Sequence, residues 1–232
     1  MSATLKVLII LTSHAVIGDT GKPTGVWFEE LTTPYYAFVD AGASVEIASI
    51  DGGKVPIDPA SIETAEKNPP SVNRFLADKD AMAQIEASRP VTQVSADDYD
   101  AVFLPGGHGT MFDLPDSRAL ATLLSQAWAK GKVVSAVCHG PAGLVNVVDS
   151  NGKPIVAGRR VAGFSNTEEE AAGLTKAVPF LLEDRLRALG GLYEKGPDFT
   201  PFAERDGKLI TGQNPQSSQE VARLVLDALE GR

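Results

Sequence analysis

The stretch SAVCHGPAGL, residues 135–144, holds the single cysteine of the chain, with a histidine directly after it. A thiol beside an imidazole is a pairing from which cysteine nucleophiles are built, because the ring can take the thiol proton. The competing expectation is a small buried hydrophobe, a common fate of free cysteine. The flanking residues favour the nucleophile. An apolar run, Val133–Val137, precedes Cys138, and Gly140, Pro141 and Gly143 follow it. Strand, sharp turn and helix together form an elbow that presents a reactive side chain. Pro141 suits the first turn of a helix, and the two glycines let that helix lie close to the sheet. A cysteine at a helix N-terminus faces the positive end of the dipole, which favours thiolate over thiol. The main-chain N–H of His139 points to the same place and can receive an oxyanion.

A second oxyanion donor is expected in LPGGHG, residues 104–109, where Gly106 and Gly107 let the main chain approach an anion with no Cβ in the way. Carboxylates occur at two suggestive places, Glu29–Glu30 and Glu168–Glu170. On a helix with the apolar stripe Trp27, Leu31, Tyr35 and Phe38, Glu29 points away from the stripe while Glu30 lies at its edge and can turn inward. Thr167 and Glu170 have capping-box spacing, which leaves Glu168 or Glu169 free. An acid there would orient His139 and stabilise its imidazolium form. Trp27, Tyr35 and Phe112 are candidates either for a pocket lining or for core.

Other chemistries are excluded by what is missing. The histidines are His14, His108 and His139, with no H-E-x-x-H and no paired C-x-x-C, so no metal site is expected. The glycine-rich PGGHGT lacks both the G-K-[ST] ending of a phosphate loop and G-x-G-x-x-G spacing. Glutamine amidotransferases with a similar strand–Cys–helix arrangement take their base from a downstream His-x-Glu pair, and no histidine follows residue 139. With 21 Lys and Arg against 30 Asp and Glu, the net charge of −9 repels phosphate backbones and anionic membranes, so nucleic acid is not an expected partner. One cysteine allows no internal disulfide, and the opening MSATLKVLIILTSHA reads as a strand rather than a signal peptide. No run is long and apolar enough to span a bilayer. A cytoplasmic protein without a membrane partner is expected.

Elements of alternating type must position these residues. Strands are expected at Val7–Leu11, Val45–Ser49, Val102–Leu104, Val133–Val137, Val161–Phe164 and Leu209–Thr211. Helices are expected at Val26–Ala41, at Ser117–Lys130, in pieces over Glu168–Leu189, and at Gln216–Leu229. Several strands are apolar at consecutive positions, as happens when helices cover both faces of a parallel sheet. Residues 51–98 read as a meandering loop with one helix, inserted at the sheet edge. No linker appears, so residues 1–232 read as one α/β domain, a three-layer sandwich with a mostly parallel central sheet and a nucleophile elbow.

AVCHGPAGL together with DAVFLPGGHG resembles the ThiJ/PfpI superfamily, which includes the Parkinsonism-associated deglycase and shares the class I glutamine-amidotransferase-like fold. TGVWFEE and VAGFSNTEEEAAGL extend the resemblance over essentially the whole chain. The early TG…EE segment and the 51–98 insertion place it nearest the glyoxalase III-type enzymes and heat-shock chaperones. The resemblance implies a flavodoxin-like fold, a homodimer, and no cofactor. It places the nucleophile on Cys138, its histidine on His139, the oxyanion amides on Gly107 and His139, and a sulfur-bonding carboxyl on Glu30. An ungapped match to the chaperone branch favours Glu169 as the third acid. A His/Glu/His metal site found in the cap of some branches is not carried over. The implied activity is conversion of a small 2-oxoaldehyde such as methylglyoxal to a 2-hydroxy acid, D-lactate, through a Cys138 hemithioacetal, with Glu30 or His139 moving the carbon-bound proton. The alternatives are a redox-sensing chaperone or deglycase with an oxidisable Cys138, and a cysteine peptidase or amidase.

Overall fold

The computed structural model describes residues 4–232. Nine strands occur among them: β1 (Lys6–Leu11), β2 (Ser44–Ser49), β3 (Arg89–Pro90), β4 (Ala101–Leu104), β5 (Val133–Val137), β6 (Arg160–Val161), β7 (Leu192–Tyr193), β8 (Ala203–Asp206) and β9 (Leu209–Gly212). The helices are α1 (Phe28–Asp40), α2 (Pro70–Ala77), α3 (Lys79–Glu86), α4 (Thr110–Asp113), α5 (Arg118–Ala129), α6 (Asn166–Ala171), α7 (Leu182–Ala188) and α8 (Ser218–Leu229). Seven strands form the central sheet in the order β3-β2-β1-β4-β5-β9-β8, parallel except for the antiparallel β8–β9 pair. Residues Val7 to Leu11 are all fully buried, and so is every residue of β5. Burial at consecutive positions requires cover on both sheet faces. Helix α8 packs on α1 and on β5 and β9, while α5 packs on β4 and β5.

The register brings the C-terminal strand ends to one edge. Leu104 pairs with Ala136, and Val137 pairs with Gly212, so the segments after β4 and β5 leave the sheet side by side. Between β1 and β4 the chain reverses its direction of travel across the sheet, a position at which open α/β sheets form a crevice.

Two expectations are corrected. Val161–Phe164 is not a strand of the central sheet: only Arg160–Val161 pairs, with β7, in a separate two-stranded ribbon. The edge of β9 is taken by β8, and the displaced segment instead bonds through the Ala162 N–H to Thr211 Oγ1 (2.8 Å) and the Phe164 N–H to the Cys138 carbonyl (2.8 Å). Residues 51–98 hold two helices, not one, and an edge strand. Phe75 and Ile85 from α2 and α3 enter the main core, so this region is packed rather than loose. Among the described residues no helix is long and apolar enough to cross a membrane.

Candidate active site

Cys138 follows the last residue of β5 with φ at 60°, in the left-handed region. That conformation costs a non-glycine residue roughly 1–2 kcal/mol and persists where its surroundings enforce it. Both of its peptide groups are held: the N–H donates to the Gly212 carbonyl (3.0 Å) and the carbonyl accepts from Phe164 (2.8 Å). After it comes a single short 3-10 turn, Gly140–Leu144, not the expected α-helix. This turn lies against the end of β4, where a Cβ on Gly140 would fall 2.1 Å from the Leu104 carbonyl oxygen.

The environment of the sulfur also departs from expectation. Cys138 is only 3% exposed. Burial pushes its thiol well above the ordinary value, and negative charge on Glu30 pushes it further. The thiolate expected at a helix N-terminus is therefore replaced by a dry thiol, because dehydration outweighs what one short turn can offer. The His139 N–H is the neighbour that opposes this shift.

Glu30, in the first turn of α1, is fully buried. Its Oε2 accepts the Gly106 N–H (2.7 Å), while Oε1 has no partner in full hydrogen-bond geometry. Burial raises its carboxyl to about 8, against hydrogen bonds from the Cys138 side chain and the Gly106 N–H. At neutral pH Glu30 is a carboxylic acid beside a thiol. Glu29 is only half-buried.

His139 links two groups. Its Nδ1 lies 3.3 Å from Cys138 Sγ, and its Nε2 lies 2.7 Å from Glu169 Oε2. Burial, and then the charge of His108, lower its proton affinity. Burial alone would raise Glu169, but the charge on His139 and the hydrogen bonds to two imidazoles hold it well below the usual carboxylate range. An ionised Glu169 requires an N–H on His139 Nε2, which leaves the Nδ1 lone pair facing the thiol. Phe164 covers the ring of His139 at a centroid distance of 4.3 Å.

The capping box of α6 is Ser165 with Glu168, not Thr167 with Glu170. Glu168 is buried, receiving the Ser165 N–H and hydroxyl, the Phe199 N–H and the Asn214 side-chain amide. That leaves Glu169 as the acid touching His139. Gly107 has φ at 99°, and a Cβ there would lie 2.2 Å from the Gly25 carbonyl oxygen, so only glycine fits. Tyr35, a candidate lining residue, packs against Phe75 in the core, and Phe112 stacks on His14.

The structure thus gathers Cys138, His139, Glu30 and Glu169 beside Gly106, the residue before Gly107, and adds His108, to which the sequence assigned no role. His108 Nε2 lies 2.8 Å from Glu169 Oε1. Its position directly after Gly107, in a chain with only three histidines, was the signal available. Ligand atoms of His108, His139 and Glu169 lie within 4.8 Å of one another at the Cys138 site, a different place from the cap site that was not carried over. Each of these atoms already takes part in the hydrogen bonds described above.

A model of the DJ-1/PfpI family matches residues 24–228. The chain belongs to that family. A glutathione-independent glyoxalase of Schizosaccharomyces pombe is 33% identical, over 97% of this chain and 96% of its own. One of Saccharomyces cerevisiae is also 33% identical, over 97% and 98%. Among solved structures, the Rapid Encystment Protein of 24 kDa from Francisella tularensis superposes with a TM-score of 0.93 at 40% identity, covering 97% of this chain and 99% of that one. Glyoxalase III from Candida albicans gives 0.89 at 30% identity, with 98% of each chain covered. The flavodoxin-like α/β sandwich is common to the family and to this chain.

Proposed function

We propose that the protein is a glutathione-independent glyoxalase that converts methylglyoxal and related 2-oxoaldehydes to 2-hydroxy acids, without a cofactor. The observation that carries this is the Cys138 thiol placed between an acceptor, His139 Nδ1 at 3.3 Å, and a carboxyl that is protonated at neutral pH, Glu30. The names of the relatives support the same reading.

In the proposed reaction His139 Nδ1 takes the thiol proton as sulfur attacks the aldehyde carbon. The Gly107 and His139 N–H groups hold the developing oxyanion, and the proton returns to it, giving a hemithioacetal. Neutral His139 then removes the hydrogen on that carbon, while Glu30 donates its proton to the neighbouring carbonyl oxygen, forming an enediol. Glu30 is reprotonated by the hydroxyl on the sulfur-bearing carbon as His139 delivers its own proton to the second carbon. The product is a thioester, and water cleaves it to D-lactate and free thiol. Between the two roles left open for the carbon-bound proton, this assigns base to His139 and acid to Glu30.

An oxidant-sensing role needs a reachable thiolate, and a dry thiol supports it less. A homodimer in the cytoplasm, acting on small aldehydes and not on nucleic acid or membranes, completes the proposal. Light scattering during size-exclusion chromatography tests the dimer. Proton NMR of methylglyoxal without glutathione tests the reaction: lactate must appear with wild-type protein and not with Cys138→Ala. Unchanged methylglyoxal in both samples would refute the reading.

A further inference from the structure

The hydrogen-bonded row from Cys138 through His139 reaches Glu169 Oε2, yet Glu169 has a second oxygen whose partner the reaction does not use. That partner is His108, 2.8 Å away through Nε2. We propose that His108 is a positioning residue: its Nε2–H fixes Glu169 Oε1, so that Oε2 stays on His139 Nε2 and the His139 Nδ1 lone pair stays aimed at Cys138.

A glutamate side chain has three rotatable bonds, and the last is broad and shallow. One hydrogen bond from His139 leaves the carboxylate free to turn about it. A second donor on the other oxygen removes that freedom. Glu168, the neighbouring acid, cannot share the task, since its oxygens are taken by Ser165, Phe199 and Asn214.

His108 is itself well fixed. It follows Gly107, which is pressed against the 25–27 segment, and its ring lies 4.2 Å from that of His139 and 6.1 Å from that of Phe164. Its side chain is 12% exposed against 1% for His139, so it forms the outer member of the row Cys138, His139, Glu169, His108. An ionised carboxylate at 2.8 Å accepts only an N–H, which assigns the Nε2–H tautomer to His108.

The inference rests on the same cluster as the glyoxalase reading but not on the identity of the substrate, and its test separates the two. His108→Ala removes the donor, whereas His108→Gln keeps an amide N–H near the position of Nε2 but cannot titrate. With methylglyoxal, His108→Ala is expected to lower kcat about 10- to 100-fold with KM within about twofold, as for loss of an orienting group. His108→Gln is expected to recover most of the lost rate.

Imidazole N–H spectra of nitrogen-15-labelled protein require no substrate. The exchange-protected His139 Nε2–H signal is expected in the wild type and in His108→Gln, and is expected to be lost by exchange in His108→Ala. Wild-type kcat together with a retained signal in His108→Ala would overturn the proposal. A Gln variant as impaired as the Ala variant would overturn it as well, because restoring an N–H donor would then fail to restore the rate. If wild-type protein leaves methylglyoxal unchanged, the glyoxalase reading fails and the N–H signals still decide the role of His108.

Discussion

A carboxyl held at about 8 beside a buried thiol is costly, and the cost has a sign that can be measured. In the unfolded chain Glu30 ionises near pH 4.5, whereas in the folded protein it keeps its proton to about pH 8. Stability contributed by the protonated group is complete below the unfolded value and is lost as pH rises through the folded one. By about pH 8 the loss is on the order of 4 kcal/mol for a group this deeply buried. Glu30→Gln removes the titration, so its Tm relative to wild type is expected to rise steadily between pH 5 and pH 8.5; a constant difference would show that Glu30 is not held protonated. The same exchange is expected to lower kcat by about 100-fold or more, because an amide can donate a hydrogen bond but cannot pass a proton. Wild-type kcat should fall above about pH 8 for the same reason. At the other end of the row, Glu169→Gln leaves one amide oxygen to serve two N–H donors. A loss of about 100-fold or more in kcat is expected, with lactate formation as the readout.

The elements that hold these groups were unequally legible. The strand before Cys138 was read from its valine-rich run with the same bounds, Val133–Val137, because a run of five residues ended by glycine and proline is too short for a helix. The turn after it was read as a helix, since glycine and proline mark where a chain bends but not how many turns follow. The acid of α6 was narrowed to Glu168 or Glu169 from a capping frame two residues out of register. Ser165 and Thr167 are both good caps, and the choice between them is made by Phe199 and Asn214, which reach Glu168 from remote parts of the chain. The His108–Glu169 contact joins positions 61 apart, which no local pattern encodes. The β8–β9 hairpin did carry a signal, Asp206-Gly207, but β8 is half-buried throughout and lacks alternation. Because Ser165 caps the helix that carries Glu169, Ser165→Ala is expected to cost about 1 kcal/mol in urea unfolding and to lower kcat as well. A stability loss with unchanged kcat would separate the cap from the placement of Glu169.

At the scale of the molecule, the site is assembled from segments that follow three strands of the central sheet and from one helix outside it. Glu30 comes from the helix after β1, Gly107 and His108 from the loop after β4, Cys138 and His139 from the turn after β5, and Glu169 from α6. Folding encloses what it assembles: Glu30, Cys138, His139 and Glu169 are each buried to at least 97%. In so dry a place hydrogen bonds to a developing oxyanion are stronger than in water, and a reagent reaches the sulfur only if it is small or if the fold opens. Local opening that costs about 3 kcal/mol slows a bulky reagent about 100-fold relative to unfolded protein. An aromatic disulfide such as dithiobis(nitrobenzoate) is therefore expected to react with Cys138 at least that much more slowly in native protein than in urea. By the same argument kcat/KM should fall by about tenfold or more from methylglyoxal to phenylglyoxal, since one methyl group fits where a ring requires the walls to move. Equal rates for the two aldehydes, with a disulfide reaction as fast as in urea, would mean that the sulfur stands open to solvent, and the dry-site chemistry assigned to His139 and Glu30 would then have no basis.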